Sequence, residues 1–174
     1  ALQGLDLLKR DPETKVIVVI SKPPSAAVAD DLLVAARRTG KPVVVDFIGY
    51  SAASRQVDNL HFALTFDEAA SLAVQLAGHE AASNSLPDLD RPLPFAVGQR
   101  YLRGLFSGGP LAYESLLLLQ DYLPLVRSNV PLREVDRLAN PMVSEAHTII
   151  DMGEDEFTVG RLHPMMDNDL RIRR

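Results

Sequence analysis

The chain has 174 residues, 47% of them hydrophobic and 24% charged, with a formal net charge of −5. That is enough apolar material for one large domain or two small ones, and no Lys/Arg run exceeds two residues, so the electrostatic footprint of a nucleic-acid partner is missing. The lack of cysteine excludes disulfides, thiolate catalysis and thiolate metal sites and fits a cytoplasmic protein, while no apolar run approaches the roughly 18 to 20 residues that span a bilayer as a helix.

Helix and strand signals alternate over residues 1–78. Leu2, Leu5, Leu7 and Leu8 give a short helical stripe that Asp11-Pro12 ends. Residues 15–20 form a continuous β-branched run, predicted as a strand buried on both faces. Residues 25–38 predict a helix with Val28, Leu32 and Ala35 on one face, stopped by Gly40 and Pro42. Residues 43–48 predict a second buried strand and residues 60–64 a short third. Thr65-Phe-Asp-Glu68 has the spacing of a capping box, opening a helix that Gly78 closes. Strands separated by helices of this length imply βαβ units and a parallel sheet.

Residues 79–96 carry Pro87, Pro92 and Pro94 and read as a linker, because prolines so close together continue neither a helix nor a central strand. Beyond it, residues 99–106 predict a strand, and Ser107-Gly108-Gly109-Pro110 turns into a helix from about Leu111 to Leu119. Pro124, Pro131 and Pro141 break up the next stretch of chain. Residues 147–151 and 157–159 predict strands around an acidic turn. The opening on a helix and the missing final elements give the expectation that both ends are cuts in a larger polypeptide. Apolar surface left open by such cuts would favour association, including a homo-oligomer.

Two stretches have the makings of a site. In the first, two glycines let a backbone approach a ligand closely, and Pro110 suits a helix start, where a missing N–H costs nothing. Free N–H groups and the helix dipole then favour an anion at Ser107, Gly108 and Gly109, with Ser107 as cap or donor and Arg103 as a supporting cation. An ordinary tight turn before a helix has the same signature. In the second, Gly160-Arg161-Leu162-His163-Pro164-Met165, the Arg161 guanidinium suits a phosphate or carboxylate. His163 is an acid, base or donor near neutral pH. A plain surface loop is the competing reading. Asp151, Glu154, Asp155, Glu156, Asp167 and Asp169 lack EF-hand spacing and read as a solvated acidic turn, with no metal assigned. His61, His79 and His147 receive no role.

Residues 5–49, from Leu-Asp-Leu-Leu-Lys-Arg-Asp-Pro-Glu-Thr-Lys-Val-Ile-Val-Val-Ile to Lys-Pro-Val-Val-Val-Asp-Phe-Ile-Gly, resemble the flavodoxin-like ligase domain of the succinyl-CoA synthetase α subunit. Ser-Gly-Gly-Pro-Leu-Ala-Tyr-Glu-Ser is similar to that family's Ser-Gly-Thr-Leu-Thr-Tyr-Glu-Ala, whose helix points at the phosphate of the reaction. Arg-Gly-Leu-Phe-Ser-Gly-Gly followed by Gly-Arg-x-His-Pro-Met resembles the FdrA family more specifically. The resemblance implies an α/β fold of flavodoxin-like parallel sheet units with flanking helices. Residues 1–78 would be the second half of one ligase-type domain and residues 97–174 the first half of another.

The synthetase's phosphohistidine loop, Gly-His-Ala-Gly-Ala, has no counterpart between Gly49 and Asn59. Its Gly-Glu-Ile-Gly-Gly segment is replaced by Ser21-Lys22-Pro23-Pro24. A phosphohistidine route is therefore not expected here. The FdrA resemblance implies a carbamoyltransferase system, interconverting carbamoyl phosphate plus oxamate with oxalurate plus phosphate in purine and allantoin breakdown. The chain would work there beside two other subunits, on a small phosphorylated substrate. An acyl-CoA ligase using CoA and a nucleotide, and a non-catalytic structural domain, stay open as alternatives. No cofactor is assigned otherwise.

Overall fold

The computed structural model describes residues 1–81 and 96–173. Most of the expected linker at 79–96, with Pro87, Pro92 and Pro94, lies outside the described residues. The chain divides into two compact units, Ala1–Pro87 and Asp88–Arg174. Each is a parallel-dominated sheet with flanking helices, the α/β class expected.

The first unit runs α1 (Leu2–Arg10), β1 (Ile17–Ser21), α2 (Ala26–Arg37), β2 (Val43–Phe47), β3 (Gln56–Val57), β4 (Leu60–Phe62) and α3 (Phe66–Leu76). Its sheet order is β1-β2-β4-β3. β1, β2 and β4 are parallel, with Ile17 opposite Val43 and Val43 opposite Leu60. Every residue of β2 is buried. Leu5 of α1 and Leu32 and Ala36 of α2 pack on Ile17, Val43, Val45 and Phe47. Each such large aliphatic side chain contributes on the order of 1.5–3 kcal/mol by leaving water.

Two expectations are corrected here. β1 is not buried on both faces, since Val18 and Ile20 are each 44% exposed. It is the edge strand, and α3 packs on Val44 of the neighbouring β2. On α2 the inward positions are Leu32 and Ala36, while Val28 is exposed.

Helix ends follow their local chemistry. Gly40 and Gly78 take φ of +70° and +86°, the left-handed conformation that closes a helix without a Cβ penalty. Thr65 Oγ1 accepts from Glu68 N at 3.2 Å, and Glu68 Oε2 accepts from Leu64 N at 2.8 Å. The box is therefore reciprocal, with the glutamate reaching one residue further back than Thr65.

The second unit runs β5 (Arg103–Phe106), α4 (Gly109–Leu119), β6 (Val126–Ser128), a 3-10 turn (Glu134–Asp136), β7 (His147–Asp151), α5 (Asp155–Thr158) and α6 (Asn168–Arg173). Its three strands are all parallel in the order β5-β7-β6. The crossover through α4 skips one position, which β7 then fills. Ile149 of β7 packs against Ala112 and Leu116 of α4, and Ile150 faces Leu138, Phe157 and Leu170.

Residues 157–159 do not form the expected strand. Phe157 N and Thr158 N donate to the Glu154 carbonyl, winding this stretch into α5 and burying Phe157. The helix expected from Leu111 begins at Gly109, so Pro110 is its second residue and still needs no N–H partner. β5 starts only at Arg103 rather than residue 99. Among the described residues, no helix is long and apolar enough to cross a membrane.

Candidate functional site

In a parallel sheet the strands share one carboxyl edge, where open α/β folds bind ligands. Phe106 lies opposite Asp151 at that edge of the second unit, and Met152 N donates to Phe106 O at 2.7 Å. Beyond β5 the chain turns through Ser107 and Gly108 directly into α4. Gly108 is the N-cap, in extended backbone (φ −169°, ψ 125°), and α4 has no side-chain cap. Ser107 is thus not the cap, and its hydroxyl bonds to no described residue. The first-turn N–H groups of α4 have no side-chain acceptor, and the positive end of the dipole faces the sheet edge. Gly109 is buried and Ser107 and Gly108 are half-buried.

His163, in the loop that follows α5, comes near the same edge. A Cβ built on Gly153, just past β7, would sit 3.7 Å from His163 Nε2, 3.7 Å from the Ser107 carbonyl oxygen and 3.0 Å from Asp151 Oδ1. Met165 N donates to His163 Nδ1 at 3.2 Å. A ring nitrogen that accepts leaves the proton of the neutral imidazole on the other one, so the donor is Nε2. Arg161 lies two residues earlier in this loop, exposed, and its guanidinium bonds to no described residue.

Arg103 goes elsewhere. It opens β5, at the amino edge of the sheet, about 10 Å of strand from Phe106. Its guanidinium donates to the carbonyls of Leu102 and Ala146 and stacks 5.4 Å from the Tyr101 ring centroid. His147 closes the same cluster, accepting from Leu102 N through Nδ1 at 3.1 Å. The expected supporting role of Arg103 at Ser107 is therefore corrected: strand direction carries it to the opposite end.

Asp151 is the residue that sequence reasoning missed. Read as part of a solvated acidic turn, it is instead the last residue of β7 and 1% exposed. Its Oδ1 accepts from Gly153 N at 2.8 Å. The signal available was its place at the end of the apolar run Thr-Ile-Ile, which continues the strand into the core. Among the described residues, no three His, Cys, Asp or Glu side chains group as metal ligands. A cavity of about 290 Å³ lies at the other end of α4, among Leu116, Gln120, Pro124, Leu132 and Asp136, and none of the candidate residues lines it.

No family model matches the chain. The chain is similar to the uncharacterized protein YahF of Escherichia coli (strain K12), with 38% identity over 179 residues that take in 99% of this chain and 35% of that protein. The chain thus spans about a third of that protein's length.

Proposed function

We propose that the carboxyl edge of the second unit binds the phosphoryl group of a small acyl-phosphate-type substrate, and that the chain is part of an FdrA-like subunit of a carbamoyltransferase system. The observation that carries this reading is the α4 N-terminus, which has no side-chain cap and lies at the carboxyl edge of the sheet, with the exposed Arg161 and His163 in the loop that reaches Gly153. N–H groups without acceptors favour a dianion through hydrogen bonds and the dipole together. In the direction of carbamoyl transfer, the oxamate nitrogen attacks the carbamoyl carbon, the carbon–oxygen bond to phosphate breaks, and the nitrogen loses a proton as phosphate departs. Ser107, Gly108 and Gly109 hold the departing phosphate. Arg161 adds positive charge from the neighbouring loop, and His163 presents its N–H to the reacting group.

The half-domain reading accompanies this proposal. β1, β2 and β4 lie side by side in chain order, as the third, fourth and fifth strands of a flavodoxin-type sheet do. A cytoplasmic location and partner subunits belong to the same proposal. The deciding experiment is a calorimetric and kinetic comparison, on the intact protein and its complex, of carbamoyl phosphate with CoA plus nucleotide. Saturable binding and turnover of carbamoyl phosphate alone is the expected result. CoA-dependent nucleotide cleavage would assign the chain to the acyl-CoA ligases instead, and no response to either would leave a structural domain.

A further inference from the structure

The cavity of about 290 Å³ in the second unit lies at the opposite end of α4 from Ser107 and Gly108. Leu116 of the helix, Val126 at the start of β6 and Leu132 ahead of the 3-10 turn give it apolar walls. Because Val126 opens β6, the cavity sits at the amino edge of the sheet. Three charged side chains also line it: Asp121, Arg133 and Asp136. Asp136 is 8% exposed, and Arg133 Nε and Nη2 both reach the same oxygen of its carboxylate, Oδ2, at 2.8 Å. A fork-on-fork pair would engage both carboxylate oxygens. Here Oδ1 accepts from no described residue, and it is not sealed from solvent.

Electrostatics decide what fits. Two carboxylates against one guanidinium leave the lining net negative. The last turn of α4 carries no basic residue, so the negative end of its dipole, beside the cavity at Leu116 and Gln120, is not offset within the helix. An anion would face both carboxylates and the helix end, with only Arg133, already committed to Asp136, in its favour. A neutral apolar molecule would fill the walls and cover Oδ1 without giving it a donor, which is costly. We propose that this cavity binds a small primary amine in its ammonium form, with the ammonium on Asp136 Oδ1 and the hydrocarbon part against Leu116, Val126 and Leu132. Arg133 keeps Oδ2, and the exposed Asp121 adds attraction. The volume is at the small end for ligand pockets, which run from about 300 to 1,000 Å³, and suits a compact molecule. None of the residues assigned to phosphate takes part, so either site stands or falls without the other.

Cyclohexylmethylammonium, cyclohexylmethanol and cyclohexanecarboxylate share a ring and differ in the charge of the group it carries. In calorimetry on the full chain near neutral pH, the ammonium should bind saturably and at least about tenfold more tightly than the alcohol, with the carboxylate weaker still. NMR shifts at Leu116, Leu132 and Asp136 should place it in the cavity. Asp136→Asn should bring the affinity of the ammonium down to that of the alcohol, with thermal melting as the check that the variant folds. Should it not fold, exposed Asp121 gives a second route: Asp121→Asn should weaken the ammonium and leave the alcohol unchanged. Equal affinities for ammonium and alcohol in the unmodified chain would overturn the proposal, because the cavity would then select shape alone. Tighter binding of the carboxylate would make Arg133 the anchor and overturn it too. So would an ammonium that does not bind, that binds without shifts at these residues, or whose affinity neither asparagine variant changes.

Discussion

Asn129 and Asp151 exchange hydrogen bonds in both directions: Asn129 Nδ2 donates to Asp151 O at 2.8 Å, and Asp151 N donates to Asn129 Oδ1 at 2.9 Å. The same Nδ2 reaches Glu156 Oε1 at 2.6 Å. One buried amide thus ties the end of β6 to the end of β7 and to α5. Asn129→Leu would leave the N–H and C=O of Asp151 without these partners. Each such loss costs about 1–3 kcal/mol, so a destabilisation of about 2–4 kcal/mol is expected in urea unfolding. Asn129→Asp keeps an acceptor but sets a carboxylate oxygen against Glu156 and the Asp151 carbonyl, and should cost at least as much. A change below about 0.5 kcal/mol for the leucine variant would show that the pair does not hold the strand ends together.

Gly104 is required by contact rather than by backbone. A Cβ there would lie 2.5 Å from Ile149 Cδ1 and 3.0 Å from Phe106 Cε2. Ile149 is buried in the packing of α4 on the sheet. Gly104→Ala should therefore destabilise by about 1–3 kcal/mol through overpacking. Combining it with Ile149→Val, which removes the crowded methyl, should cost less than the two single changes added together. Strict additivity in that double-mutant cycle would place the strain elsewhere.

Glu68 links α3 to solution pH. Burial pushes its carboxyl up, but the Arg55 guanidinium and the Leu64 N–H together hold it below the ordinary glutamate value. In the window between the lowered folded value and the ordinary 4.5, the unfolded chain binds more protons than the folded one, so stability rises with pH there. Glu68's contribution is complete above the ordinary value and disappears as pH falls through the folded one. Melting temperatures of the unmodified chain and Glu68→Gln should differ at neutral pH and converge in acid. A difference that persists unchanged into strong acid would mean that the capping geometry, and not the charge, supplies it.

Much of the first unit is legible in the sequence because local and tertiary preferences agree. The β-branched run Val43-Val44-Val45 is a strand on any pattern, and Gly40, Thr65 and Gly78 mark helix ends through their own backbone chemistry. Burial on two faces was not legible for Val18 and Ile20, since edge position depends on sheet order. Phe157-Thr158-Val159 carries strand-favouring side chains, yet hydrogen bonds to the Glu154 carbonyl and burial of Phe157 wind it into a helix. The glycine turn between β5 and α4 was readable. That this turn comes together with Gly153 was not, because 44 residues separate Ser107 from Gly153's neighbour Asp151 and only strand pairing brings them to one edge. Arg103 shows the converse: nearness in sequence suggested a partnership that strand direction undoes.

The phosphate site itself is open to a substitution that the fold should tolerate. Gly108 has extended backbone that any residue adopts, and a Cβ built on it meets nothing within 4 Å. Gly108→Val should therefore change stability little, since strand-like φ and ψ suit a β-branched residue. The same side chain would stand at the N-cap of α4, over the N–H groups that the anion needs. Close approach of a phosphate oxygen would be blocked while the helix dipole stayed in place. Inorganic phosphate and carbamoyl phosphate affinity should fall at least about tenfold, on the order of 1.4 kcal/mol. Gly108→Ala, with a smaller side chain in the same open space, should lose less. Unchanged affinity in a folded Gly108→Val protein would place the anion elsewhere and reduce this turn to a plain start of a helix. A graded loss from glycine to alanine to valine at constant melting temperature would instead tie the binding to backbone approach at this one position.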